Sequence, residues 1–359
     1  MGRIADLDCS QFFGYWIEGT EPARFLHTPT LVGDMPGLVR KRPMELVGPR
    51  KTRRNVWTSP TFAPVIYLMT SVGLSAAIFL LFQLFGRWHV QTFPAIVINY
   101  GVAASIGWFL AGGHQTFAEV QNQSWVPLAL AMGLLFIYLF QLIARSTQEI
   151  GVTVTSIAAK LSMVIPVAIF LIFDAQDQLT VQKGIAIALS VPAIMLASWK
   201  PGESRSISNW SMPLIIFVGS GMIDLMFAGY SGPEHMTRVD MRYLFASLPL
   251  ITAFLVGLVW HVRTARVNAA RLVPDAKTWL AGISLGAINF GSLYFLLETY
   301  DKVGIDRSAV MPVNNLAIIL MSSGLSVAFL NEKLVKQNYL GLMLGASAIA
   351  LLLWDALIG

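Results

Sequence analysis

The sequence predicts an all-α integral membrane protein of ten transmembrane helices in two inverted five-helix repeats. Of 359 residues, 55% are hydrophobic and 13% charged, against roughly 25% charged residues in an average soluble domain. The apolar residues form long uncharged runs, and about 20 such residues let a helix cross the roughly 30 Å hydrocarbon layer. The apolar region also carries the same small-residue and glutamine pattern twice, once in each half.

Residues 1–60 differ from all that follow. They hold nine Lys/Arg and six Asp/Glu and no apolar run suited to a signal peptide. The expectation is a cytoplasmic tail without a stable core, or a start placed too far upstream. Its last stretch, Arg50-Lys51-Thr52-Arg53-Arg54, lies just ahead of the first apolar run and favours a cytoplasmic location for that end. The runs then read as spans at 62–84, 93–112, 125–144, 150–173, 181–198, 210–230, 242–261, 278–297, 305–329 and 337–358. Connections are short, so no soluble domain is inserted. Without water in lipid, each backbone polar group must be satisfied inside a helix. Loop cations on the expected outer side (Lys200, Arg205, Arg263, Arg266, Arg271 and Lys277) compete with the tail. The tail outweighs them narrowly, which puts both termini inside.

The repeat divides the chain into halves at 61–198 and 199–359. Glu149-Ile150-Gly151-Val152 opens span four and Lys302-Val303-Gly304-Ile305 opens span nine. Each is followed by a Ser or Thr, a long apolar stretch, a short polar loop, a glutamine (Gln182, Gln337) and a final span rich in small residues. An odd number of helices per half turns the second half upside down relative to the first, a design of many secondary transporters.

The end of each half resembles the EamA-like permeases of the drug/metabolite transporter superfamily. The residues that carry the resemblance are Gly304-Ile305-Asp306-Arg307-Ser308-Ala309-Val310-Met311-Pro312-Val313, then Leu330-Asn331-Glu332-Lys333-Leu334, then Gly341-Leu342-Met343-Leu344-Gly345. In the first half, Asp177-Gln178-Leu179 stands where the family often has a glutamate-containing loop. The resemblance covers about residues 62–358 and implies the ten-helix fold and a permease function, with substrates ranging over amino acids, other metabolites, nucleotide precursors and toxic compounds.

Away from span ends, two ionisable side chains fall inside the spans, Lys160 and Asp224. Even lenient scales put such a residue at about 2.5–3.5 kcal/mol at the bilayer centre. Lys160 is roughly 15 Å into its span at 1.5 Å per residue, mid-membrane. Thr153 and Ser156 share its helical face, so the helix presents a polar stripe to something other than lipid. A substrate carboxylate or phosphate suits Lys160, and a titrating or pairing role suits Asp224; each residue also suits a purely structural pairing. Asn99 and Tyr100, Asn289, Ser292 and Tyr294, and Asn314, Asn315, Ser322 and Ser326 add polar groups at depth. They serve as interhelical glue worth roughly 0.6 kcal/mol each or as solute partners, with Asn289 and Asn315 the strongest candidates for the second role. Pro166 and Pro312 fall in corresponding spans and are expected to act as hinges.

Gly341 with Gly345, and Gly282 with Gly286, allow close helix approach within the monomer or in a homodimer. Trp57, Trp88, Trp125, Trp199 and Trp354 read as interface anchors. Cys9 is the sole cysteine, no HExxH spacing occurs among the five histidines, and no GxxxxGK[ST] loop is present. Metal sites, cofactors, disulfides and an ATP-driven pump therefore have no sequence support, and an enzyme is not expected. Lys160 with Ser156, four residues apart, is a weak hint of a serine protease. The expected partners are a small-molecule substrate and membrane lipids, with no nucleic acid. The expected function is a secondary carrier of the inner membrane with a midplane site formed by spans two, four, six, eight and nine. A flippase for a lipid or lipid-linked sugar is the alternative.

Overall fold

Helix occupies every interval in which the apolar runs predict it, with one span divided. The structure, a computed structural model, describes residues 62–122, 125–173, 179–199, 208–230, 239–267, 272–302 and 307–358; the predicted tail at 1–60 lies outside them. In chain order the helices are α1 Phe62–Arg87, α2 Thr92–Leu110, the short α3 His114–Val120, α4 Trp125–Glu149, α5 Val152–Leu161, α6 Val164–Phe173, α7 Val181–Ala197, α8 Ser208–Tyr230, α9 Val239–Val267, α10 Ala276–Lys302, α11 Arg307–Leu330 and α12 Lys336–Ile358. No strand occurs among the described residues.

Among the described residues, seven segments are long and apolar enough to cross a membrane: 65–87, 92–110, 125–149, 152–169, 240–267, 276–299 and 310–330. Val181–Ala197 is a shorter apolar helix, and Ser211–Met226 is a shorter apolar stretch within α8. Sequences such as that of α1 are apolar on every side, which suits a helix exposed to lipid or enclosed by other helices. The chain is a multi-pass all-α membrane protein.

Local chemistry sets several helix ends. The Thr180 hydroxyl accepts the Lys183 N–H at 3.2 Å and opens α7; the Asp275 carboxylate accepts the Thr278 N–H at 3.0 Å and opens α10. Such caps satisfy donors that a first helical turn leaves unpaired. Other ends are closed by a neighbouring helix. Arg87 at the end of α1 donates to the Leu330 carbonyl at the end of α11, and Lys277 at the start of α10 donates to the Trp88 carbonyl. Asn338 at the start of α12 donates to the Ala197 and Trp199 carbonyls beyond α7, at 2.6 and 2.9 Å. One end of the bundle thus gathers the ends of α1, α7 and α11 and the starts of α10 and α12.

Helix α10 packs against α1 and α2, α9 against α2 and α4, α8 against α4, α5 and α6, α11 against α1, α5 and α12, and α12 against α7. Glycine makes the closest of these approaches possible. A β-carbon at Gly282 would lie 2.8 Å from the Ala95 carbonyl oxygen, and one at Gly286 2.7 Å from that of Asn99, both on α2. A β-carbon at Gly341 would lie 2.7 Å from the Ala193 carbonyl on α7. Both glycine pairs are therefore covered by helices of the same chain and offer no face to a homodimer. Trp125 corrects another expectation: it is 7% exposed and packs edge-on against Phe245 at 5.5 Å, because α9 covers the start of α4. Trp88, Trp199 and Trp354 are exposed, and Trp57 lies outside the described residues.

The glycine contacts make a testable contrast. Gly341→Ala meets backbone atoms, which cannot rotate away, and is expected to destabilise by about 1–3 kcal/mol. Gly324, on α11, has nothing within 4 Å of its β-carbon position, so Gly324→Ala should leave stability unchanged or raised. Thermal unfolding in detergent compares the two.

Candidate functional site

The predicted fourth span is two helices, and the site is built at their junction. Pro166 is the third residue of α6 and has no N–H to give the Ser162 carbonyl four residues back. The Ile165 N–H takes that carbonyl at 2.9 Å, a tighter turn than the α-helix. The proline acts upstream of itself, and the α-helical pattern is broken by one tightened turn at Ser162–Met163, where Ser162 keeps helical φ −53° and ψ −24°. Pro312 is expected from the sequence to match it, yet α11 runs unbroken through that residue. A break at Pro312 is therefore not observed, and the two halves differ here.

Polar side chains from two other helices complete the break. The Lys160 carbonyl accepts the Asn315 amide at 3.3 Å, and that amide also lies 3.4 Å from the Met163 sulfur. The Ser162 hydroxyl is shared between the Ala159 carbonyl at 2.7 Å and the Asp224 carboxylate at 2.8 Å. Inside lipid, backbone groups freed by a break need such partners. Asn315, expected to meet solute, is engaged in this closure.

Beside the break lies a cavity of about 190 Å³. Lys160 and Asp224 line it together with Asn289 and Ser292 of α10, Ser75 of α1 and Ser220 of α8. Its remaining wall is apolar: Phe79 and Phe82 from α1 and Phe136 and Phe140 from α4, with aliphatic side chains between them. Phe82 and Phe140 meet edge to face at 5.7 Å, a favourable ring geometry. Lys160 and Asp224 attract one another electrostatically, while no hydrogen bond or direct ion pair to the ammonium occurs among the described residues. One cation and one carboxylate thus share a small space with hydroxyls and one amide.

Sequence reasoning identifies four members of this group, Lys160, Asp224, Asn289 and Ser292. Asn99 stands behind the wall: it is fully buried and its side-chain oxygen accepts the Asn289 amide at 3.1 Å. That bond orients Asn289 and leaves its own amide oxygen as an acceptor. Ser156 is also fully buried; its hydroxyl donates to the Thr153 carbonyl at 3.0 Å, so the expected polar stripe does not continue into the cavity. Tyr294 lies outside the lining as well. It stacks on Tyr243, with ring centres 5.8 Å apart and planes 12° from parallel, and Tyr243 donates to Glu298 at 2.9 Å. Spans one, three, four, six and eight supply the wall, correcting the expected two, four, six, eight and nine; spans two and nine stand one layer behind. The aromatic residues of α1 and α4 escape sequence reasoning because a phenylalanine facing a cavity and one facing lipid look alike in a sequence.

A second polar group joins α5 to α11. The Glu332 carboxylate accepts the Thr153 N–H at 3.2 and 3.3 Å and the Thr153 hydroxyl at 2.9 Å, and Ser326 donates to it as well. Asn315 and Ser326, which share a face of α11, both meet α5. Ser322, between them, bonds within its own helix to the Ile319 carbonyl at 3.3 Å.

No protein-family model matches the chain. An uncharacterized protein of Haemophilus influenzae is 25% identical over 294 residues, covering 79% of this chain and 95% of that protein. A protein solved by crystallography is similar in fold, with a TM-score of 0.52 at 15% identity, covering 82% of this chain and 98% of the other.

Removing a partner from the break should be costly. Asn315→Ala leaves the Lys160 carbonyl without its side-chain donor and is expected to destabilise by about 1–3 kcal/mol. Ser322→Ala, which removes only a bond within one helix, is expected to cost less. Denaturation in detergent, followed by tryptophan fluorescence, measures both.

Proposed function

We propose that the chain is a secondary transporter that moves a small metabolite across the inner membrane by alternating access. It is an EamA-like permease of ten transmembrane helices in two inverted five-helix repeats, with both termini inside. The observation that carries this reading is the cavity beside a broken helix, into which one lysine and one aspartate converge. Discontinuous helices with ionisable groups near the midplane are a hallmark of solute sites in such carriers. A substrate carboxylate or phosphate is suited to Lys160, and a substrate ammonium to Asp224. An amino acid or similar zwitterion satisfies both at once.

The size of the cavity supports the same class. Its 190 Å³ falls below the roughly 300–1,000 Å³ of drug-sized sites. That is small for a lipid-linked sugar, so a small-solute carrier is favoured over a flippase. The helix pairings support the repeat. Exchanging α1, α2, α4, α5–α6 and α7 with α8, α9, α10, α11 and α12 turns α10 on α2 into α4 on α9, α10 on α1 into α4 on α8, and α11 on α1 into α5–α6 on α8. It leaves the α2–α9, α5–α11 and α7–α12 pairs in place, and all of these pairs are in contact.

Proteoliposome flux tests the reading. Pooled amino acids and other metabolites are offered with and without a pH gradient, to wild type, Lys160→Ala and Asp224→Asn. The expected outcome is a saturable flux in wild type that both substitutions abolish while the protein stays folded. Flux that survives both changes, or no movement of any pool, would overturn it; in the second case a fluorescent-lipid scrambling assay decides for the flippase.

A further inference from the structure

We infer that α5 is a lever that moves during transport and that Glu332 is the latch that holds it; this rests on the carrier reading above. Helix α5 has a joint at each end. Before it stands Gly151, with φ +133° and ψ 162°, a backbone conformation that side chains with a β-carbon rarely adopt. After it comes the break at Ser162–Met163. Between the joints are ten residues of continuous helix, every one of them buried except Lys160. A segment of that kind moves as one body.

The two ends are held differently. At the break, Ser162 is tied to Asp224 and the Lys160 carbonyl to Asn315, so this end is the pivot. At the other end the hold is the Glu332 carboxylate, which arrives from a loop 179 residues further along the chain. It sits on the first turn of α5, where a negative charge is favoured by the unpaired N–H groups and the helix dipole. The space it occupies exists because residue 151 is glycine: a β-carbon there would overlap the Glu332 carboxylate. Glu332 also takes the hydroxyls of Thr153 and Ser326, so one carboxylate joins α5 to α11.

The chemistry of this contact suits a reversible closure. Beside it, Ser146 and Thr155 share a hydrogen bond of 2.7 Å, and Gln148 donates to the Phe82 carbonyl at 2.9 Å. Ser146, Thr153, Thr155 and Ser326 are all fully buried. A layer of hydroxyls and one carboxylate can exchange partners for water with little enthalpic loss, whereas an interlocked apolar layer would expose hydrocarbon on parting. Release of Glu332 lets the Gly151 end of α5 swing away from α11. The Lys160 ammonium, at the pivot end of the same rigid body, then turns relative to Asp224. Opening at one end of the bundle is coupled in this way to the charges that line the cavity.

The test starts from Cys9→Ser, which removes the sole cysteine, and adds Thr153→Cys with Ser326→Cys. The two native hydroxyl oxygens are 3.4 Å apart, so the replacement thiols face one another, and a small approach brings them to the roughly 2.0 Å of an S–S bond. Oxidation is expected to stop flux and reduction to restore it; full flux from quantitatively cross-linked protein overturns the lever. A second measurement needs no substrate. In Glu332→Gln, amide exchange should rise about tenfold across the whole of residues 152–161 and not only in the first turn, while α4 is unchanged. Faster exchange confined to residues 152–155 would mean a simple helix cap and would overturn the lever. If wild type moves no solute at all, the carrier reading falls, and the exchange pattern still decides whether α5 is latched.

Discussion

Everything in the interior is governed by the need to satisfy backbone polar groups where no water is present. Most of the chain meets it by continuous helix. The exception is the break at Ser162–Met163, beside a proline that cannot bond backward, and here the Ser162 hydroxyl and two side chains from two other helices, Asn315 and Asp224, take over. A break this deep in a bundle is tolerated because neighbours supply partners or because it borders a cavity. This one has both. The site follows from the repair: the residues that close the backbone also fix where the Lys160 side chain can go.

The glycines play the complementary part. Gly282, Gly286 and Gly341 bring α10 onto α2 and α12 onto α7 at backbone distance, which fixes the outer pairs closely. The cavity is walled by larger side chains on α1, α4, α5, α8 and α10. Close packing outside and a small polar space inside thus arise from where the sequence places residues without a side chain and residues with a long one.

How much of this is legible in the sequence depends on the length scale of the signal. Helix positions are, because an uncharged run of about 20 residues has one physical meaning. Lys160 and Asp224 are, because ionisable groups at that depth demand a reason. Asn315 and Ser156 are misassigned from sequence, since an amide or hydroxyl has the same appearance whether it faces a solute or a carbonyl, and the choice depends on helices far away along the chain. Pro166 reads as a hinge, and the carbonyl that loses its bond is that of Ser162, four residues earlier. Loop charge separates the two orientations only narrowly for a related reason. Lys277, one of the cations in that count, is engaged on the carbonyl of Trp88, so part of the count reflects helix closure as well as membrane side.

The position of Glu332 has a consequence for the order in which the protein is made. The first turn of α5 belongs to the first half of the chain, yet its carboxylate partner is 179 residues away. At about 5–20 residues per second of synthesis, roughly 10–35 s separate the two. During that interval α5 has a glycine before it, a break after it and no partner for the Thr153 N–H from Glu332. The first half of the chain is thus a provisional assembly, completed only when the loop after α11 arrives, and a ribosome that stops before residue 332 leaves α5 without the Glu332 cap.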